Sequence, residues 1–188
     1  MNRQVTVVPG SLSDVSAKGG QSLAESFITA EAVILVDVSG SMGAHDSRGG
    51  RTRYDVALAE LAALQGSMPG RLAVIAFSDE PQFVPGGVPP YLAGDTDLAA
   101  GLQFAKVADV AGMRFIVISD GEPNSEERAL AVAATFTNRI DTVFVGPEAF
   151  PQGRRFLERL AAAHGGQSVT ADRANELASQ AARLLLGA

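Results

Sequence analysis

The stretch that most constrains this chain is Glu31-Ala-Val-Ile-Leu-Val-Asp37-Val-Ser39-Gly-Ser41-Met-Gly43. Its apolar run, Ala32 to Val36, is too short to cross a membrane and β-branched enough to predict a buried strand. The run stops at a carboxylate, Asp37. Two hydroxyls, Ser39 and Ser41, follow in a turn that also holds Gly40 and Gly43. A strand end that delivers one anion and two neutral oxygens into a Gly-rich turn can hold a hard cation. The same residues also suit a plain β-turn, with Asp37 and the serines bonded to nearby backbone amides.

The rest of the chain supplies a frame for that strand. Leu72–Phe77, Phe115–Ser119 and Thr142–Val145 read as further apolar strands. Pro81–Val84 reads as a short edge strand, where proline is tolerated, and Gln167–Thr170 as a short last strand. Helical spacing separates them. One stretch runs through Tyr54, Leu58, Leu61 and Leu64, with Thr52 and Asp55 in capping-box positions. A second carries Leu98, Leu102 and Ala105. Others are capped by Ser125 ahead of Glu126 and Glu127, or cover Arg154–Ala163. The final stripe, Ala174, Leu177, Ala178, Ala181, Leu184 and Leu185, predicts a closing helix over Ala174–Leu186. Before Glu31, Val5–Val8 suggests a short strand and Ser11–Phe27 a weakly periodic helix broken at Gly19-Gly20. Residues 1–30 therefore read as an N-terminal extension, packing on the main domain or facing a partner, and residues 31–188 as one α/β domain.

Strands alternating with helices predict a doubly wound, mainly parallel six-stranded sheet with helices on both faces and one short antiparallel edge strand. Ala32–Asp37 should lie at its centre with Phe115–Ser119 beside it. Two of the strands end in an aspartate followed by small residues, at Asp37 and at Asp120-Gly121. Ligands of such sheets bind outside the carboxyl ends of the strands, where strand order reverses. Neighbouring strands there would bring both carboxylates over one crevice.

Composition excludes several functions. A chain of 188 residues, 46% of them hydrophobic, has the length and apolar content of one globular domain that buries roughly 70% of its unfolded surface. Its net charge of -6 argues against nucleic acid or an anionic membrane as partner. With no cysteine, disulfides, zinc-thiolate sites and thiol nucleophiles are ruled out. The N-terminal residues lack a signal-peptide apolar core, so a bacterial, cytoplasmic protein is expected. There is no G-x-G-x-x-G after a strand, no G-x-x-x-x-G-K-[ST], and Gly40-Ser41-Met42-Gly43 does not match G-x-S-x-G. His45 and His164 read as surface residues. Arg48, Arg51 and Arg53 read as a solvated basic loop with some capacity to attract an anion, Asp79 and Glu80 as solvated turn residues, and Phe77, Phe83, Phe104, Phe115 and Phe144 as core.

Asp37-Val-Ser39-Gly-Ser41, Thr96 after Gly94-Asp95, and Ser119-Asp120-Gly121 together resemble the von Willebrand factor A family over residues 31 to 186. In that family an Asp-x-Ser-x-Ser motif, a separate threonine and a separate aspartate form the metal-ion-dependent adhesion site. The resemblance implies that Ser39 and Ser41 bind a cation through their hydroxyls, and that Thr96 binds it directly or through water. It places Asp37 and Asp120 in or beside the coordination sphere, often acting through water. Mg²⁺ suits such a shell, with Mn²⁺ as a substitute. It further implies a non-enzymatic interaction module whose cation is completed by an acidic residue of a protein partner, such as an AAA-type ATPase or a multiprotein assembly. Gly94-Asp95-Thr96-Asp97 departs from the usual Gly-Gly-Thr, and the extra carboxylates, Asp95 and Asp97, read as capping or solvated groups. The competing class is a Mg²⁺-dependent phosphotransferase or phosphatase of haloacid dehalogenase type with Asp37 as nucleophile. That class needs a second aspartate where this chain has Ser39, and a lysine in the site, whereas Lys106 falls in a predicted helix.

Overall fold

The computed structural model describes residues 7–20, 22–149 and 151–171. Six strands form one sheet: β1 (Ala32–Asp37), β2 (Leu72–Phe77), β3 (Pro81–Phe83), β4 (Arg114–Ser119), β5 (Ile140–Phe144) and β6 (Ser168–Thr170). Their order is β3-β2-β1-β4-β5-β6. Only the β2–β3 pairing is antiparallel. Both the central position of β1 and its pairing with β4 agree with the sequence reading. All six residues of β1 are buried, as a strand covered on both faces requires.

Helices α1 (Leu12–Gly19) and α2 (Leu23–Ile28) precede the sheet. They are followed by α3 (Arg53–Ser67), α4 (Leu98–Ala105), α5 (Glu126–Ala133) and α6 (Gln152–Ala163). Alternation along β1 divides the core in two. Ala32, Ile34 and Val36 join Val56, Ala57, Leu61 and Leu64 of α3 on one face. Val33 and Leu35 join Leu98 and Leu102 of α4, Ala129 of α5 and Phe156 of α6 on the other. The buried stripe of α3 is thus Val56, Ala57, Leu61 and Leu64, while Tyr54 and Leu58 are only partly covered. Thr52 caps that helix by accepting from the Asp55 amide.

Leu12 of α1 is buried in the core, and Val7 makes an isolated bridge to Gly87 beyond β3. The expected strand at Val5–Val8 is described only from Val7 onward. The predicted closing helix at Ala174–Leu186 lies outside the described residues. One core assignment was wrong. Phe104 is 44% exposed, because it sits on the outer side of α4 beside Val107, away from the stripe formed by Leu98, Leu102 and Ala105. Phe77, Phe115 and Phe144 are buried, and Phe83 is packed partly against the core.

The chain order fixes where a ligand can sit. From β1 it moves outward to β2 and β3, then returns to the other side of β1 and continues through β4, β5 and β6. The reversal falls between β1 and β4, whose carboxyl ends carry Asp37 and Asp120.

Candidate metal centre

Asp37 closes β1 and is fully buried. Its Oδ1 accepts from the Ser39 amide at 3.0 Å, an Asx-type turn that folds the loop back over the strand end. Its Oδ2 accepts from the Ser119 hydroxyl of β4 at 2.7 Å. The Ser119 oxygen in turn accepts from the Gly121 amide at 2.9 Å. Ser119 therefore ties β1, β4 and the Asp120 loop together. Its motif position alone assigns it no such task.

Beyond Asp37 the chain makes a single 3-10 turn, Gly40–Gly43, which sets the Ser39 and Ser41 hydroxyls 3.3 Å apart. The threonine loop meets this turn through its backbone, where the Gly40 amide donates to the Gly94 carbonyl at 2.9 Å. Gly94 has a positive φ of 84°, and a Cβ there would strike the Asp79 carboxylate. Asp79 was read as a solvated turn residue. It is exposed, yet it accepts from the Asp95 amide at 2.9 Å and so shapes the approach to Thr96. Thr96 is held from the other side by Asn124, whose side chain accepts from the Thr96 amide at 3.0 Å and whose own amide donates to the Thr96 carbonyl at 2.9 Å. These bonds occupy the Thr96 main chain and use no atom of its side chain. Asp97 is a capping residue, as expected, accepting from Ala100 at the start of α4.

The Asp-x-Ser-x-Ser turn, the threonine loop and the Asp120 loop are thus joined into one cradle at the carboxyl ends of β1 and β4. Asp37, Ser39, Ser41, Thr96 and Asp120 come from these three connected loops. Asp120 lies close enough to act on the Asp37 carboxyl. Burial, followed by repulsion from Asp120, pushes the Asp37 carboxyl up to about 6, against the acidifying hydroxyls of Ser39 and Ser119. Two carboxylates crowded in a buried crevice favour a cation between or beside them.

One cation of the chain itself is already present. Arg53, in the first turn of α3, places Nη1 2.6 Å from Asp120 Oδ2, while Nε and Nη2 each lie 2.8 Å from the two oxygens of Asp46. Its side chain is 9% exposed and that of Asp120 fully buried. Hydrogen bonding to Asp46, reinforced by Asp120, holds the guanidinium still more firmly protonated than usual. The reading of Arg53 as part of a solvated basic loop is therefore corrected. Sequence spacing gives no hint of it, because Arg53 and Asp120 are 67 residues apart and meet only where the first residue of α3 reaches the loop after β4.

The donors are all oxygens, three hydroxyls and two carboxylates, with no imidazole or thiol. That set fits a hard divalent cation such as Mg²⁺ or Mn²⁺ and suits a soft metal poorly. Among the described residues, no group of three or more His, Cys, Asp or Glu side chains gathers into a metal cluster.

Solved structures share this architecture. The chain is similar to a von Willebrand factor type A protein from Catenulispora acidiphila, with TM-score 0.56 and 19% identity over 80% of this chain and 41% of that one. The fold is of von Willebrand factor A type. An aerotolerance-related membrane protein from Bacteroides fragilis, carrying multiple mutations to serines, matches with TM-score 0.63 and 15% identity over 80% of this chain and 96% of its own. Manganese-loaded TRAP protein from Plasmodium vivax matches with TM-score 0.58 and 19% identity, covering 79% of this chain and 71% of that protein. No family model and no curated protein matches the sequence. Among the described residues, no helix of this von Willebrand factor A-type unit is long and apolar enough to cross a membrane.

Proposed function

We propose that this domain is a metal-dependent protein-interaction module, with Mg²⁺ or Mn²⁺ held by Ser39, Ser41 and Thr96 and supported by Asp37 and Asp120. The observation that carries this reading is the joining of three sequence-distant loops, by main-chain and side-chain hydrogen bonds, around oxygen donors at the β1–β4 switch point. The manganese carried by the Plasmodium vivax TRAP protein, which has a similar fold, adds support. The cation would supply an electrophilic position for an outside oxygen ligand, and the carboxylate of an acidic residue on a protein partner is its natural complement.

The residues divide the work. Asp37 orients Ser39 through its amide and receives the Ser119 hydroxyl, so it acts mainly as an anchor beneath the site. Ser39 and Ser41 present neutral oxygens side by side. Asn124 fixes the Thr96 backbone at both amide and carbonyl. The phosphotransferase reading gains nothing here. Asp37 is fully buried with both oxygens already engaged, a poor posture for a nucleophile. Lys106 is bound to Asp109 and the Thr135 carbonyl, near residues that precede β5, at the opposite end of the sheet.

Titration calorimetry with MgCl₂ and MnCl₂ tests the metal claim. Wild type should bind one ion, and Ser39→Ala combined with Ser41→Ala should lose at least about tenfold in affinity. Equal affinities in a folded double variant would reject the site.

A further inference from the structure

Arg53 is the feature that the proposed role does not use. Its guanidinium spans two carboxylates, Asp46 through two 2.8 Å bonds and Asp120 through one at 2.6 Å. Asp46 is 40% exposed at its side chain, whereas Asp120 is fully buried. Asp46 thus acts as an outer clamp that presents a fixed positive charge to the inner carboxylate. The remaining Asp120 oxygen accepts from the Glu122 amide at 3.2 Å, so the carboxylate is engaged on both sides.

This matters for what a cation in the cradle can do. Asp37 and Asp120 together carry two negative charges, enough to neutralise a divalent ion and leave it with no pull on another anion. Arg53 divides its charge among Asp120, Asp46 and, at 3.9 Å, Glu122, but Asp46 and Glu122 are half exposed and screened by water while Asp120 is buried, so the guanidinium offsets part of the inner charge. A divalent ion then keeps more of its pull on an outside anion than two bare carboxylates would leave it. We infer that Arg53 is a specificity-determining residue of the site: by partly offsetting the Asp120 charge it weakens divalent-ion binding and preserves the attraction for an acidic ligand. This inference rests on the proposed metal site, and it adds a trade-off between holding the metal and holding the partner. A guanidinium that merely pins α3 to the Asp120 loop would produce no such opposition.

The test compares wild type with Arg53→Met, which keeps the apolar stem and removes the charge. Calorimetry reads Mg²⁺ affinity. Relaxation of the acetate methyl protons by Mn²⁺-loaded protein reads carboxylate capture, with acetate as the probe. Arg53→Met should bind Mg²⁺ about tenfold or more tightly, since a like charge has left its neighbourhood, and should give weaker acetate relaxation. Arg53→Lys should stay near wild type in both. Arg53→Met combined with Asp46→Asn should keep the gain in Mg²⁺ affinity. Loss of the gain in that double variant would show that freed Asp46 had become an extra ligand, and would overturn the inference. Wild type that binds Mg²⁺ while folded Arg53→Met binds it equally or more weakly would overturn it too, and leave the metal site standing. If wild type binds no metal but Arg53→Met does, Arg53 blocks the cradle, and both the proposed function and the trade-off fail. If neither binds, both fail. Should Arg53→Met not fold, the Arg53 Nε–Hε signal of wild type in a nitrogen–proton correlation spectrum decides. It should persist as Mg²⁺ is added, and its loss to exchange would mean that the ion displaces the guanidinium.

Discussion

Replacing Ser119 by alanine should be among the most damaging single-atom deletions in this protein. The hydroxyl makes two buried bonds at once, donating to Asp37 Oδ2 at 2.7 Å and accepting from the Gly121 amide at 2.9 Å. A bond to a charged acceptor is worth about 1.5–3 kcal/mol, and an orphaned buried amide costs about 1–3 kcal/mol. The two share one oxygen and are not additive, so about 3–5 kcal/mol is the expected loss. A domain of this size loses about 2–4 °C in Tm per kcal/mol, giving a fall of about 6–20 °C. Thermal unfolding followed by circular dichroism and calorimetry reads the change directly. Ser119→Thr, which keeps the hydroxyl on a residue suited to a strand, should retain most of the stability. MgCl₂ should raise the Tm of wild type more than that of Ser119→Ala, because the variant leaves Asp37 without its anchor. A two-state transition in Ser119→Ala within about 2 °C of wild type would refute the view that this oxygen ties the two strand ends together.

Other expectations address the frame around the site. Burial pushes the Asp109 carboxyl up, but Lys106, Thr137 and Asn138 more than offset it and hold it well below the usual range. A depressed native pKa stabilises above the unfolded value, near 3.9, and that stabilisation disappears as pH falls through the native value. Asp109→Asn should therefore cost about 2 kcal/mol at pH 7, and denaturant titrations should show the gap closing under strong acid. Asn124→Ala should speed hydrogen exchange at the Thr96 amide while leaving the exchange of β1 amides unchanged; an unaltered Thr96 rate would mean that Asn124 does not hold the loop.

Much of this architecture was legible from local pattern. The Ala32–Val36 run, the aspartates closing two strands and the alternation of strands with helices were sufficient to place β1 beside β4 at the reversal of strand order. The caps at Thr52, Asp97 and Ser125 were likewise readable, since a cap is decided by three or four consecutive residues. What escaped the sequence was pairing across distance. Arg53 looked like one more loop arginine, and Asp79 like a solvated turn residue, because their partners Asp120 and Asp95 come near only after the sheet has formed. Phe104 was misplaced for another reason. Aromatic character suggested core, but its position on α4 points it away from the face that Leu98 and Leu102 bury.

The links that hold the loops include bonds made from main chain to main chain. Gly40 meets Gly94 through amide and carbonyl, the Asn124 amide meets the Thr96 carbonyl, and the Asp97 amide ties the threonine loop to the Ser78 carbonyl just after β2. Main-chain links of this kind survive most substitutions on the surface above them. The loops can therefore change their outward-facing residues while the cradle beneath keeps its shape. Under the proposed function such a site would be easy to retarget, with new specificity acquired at the rim and the floor left as it is.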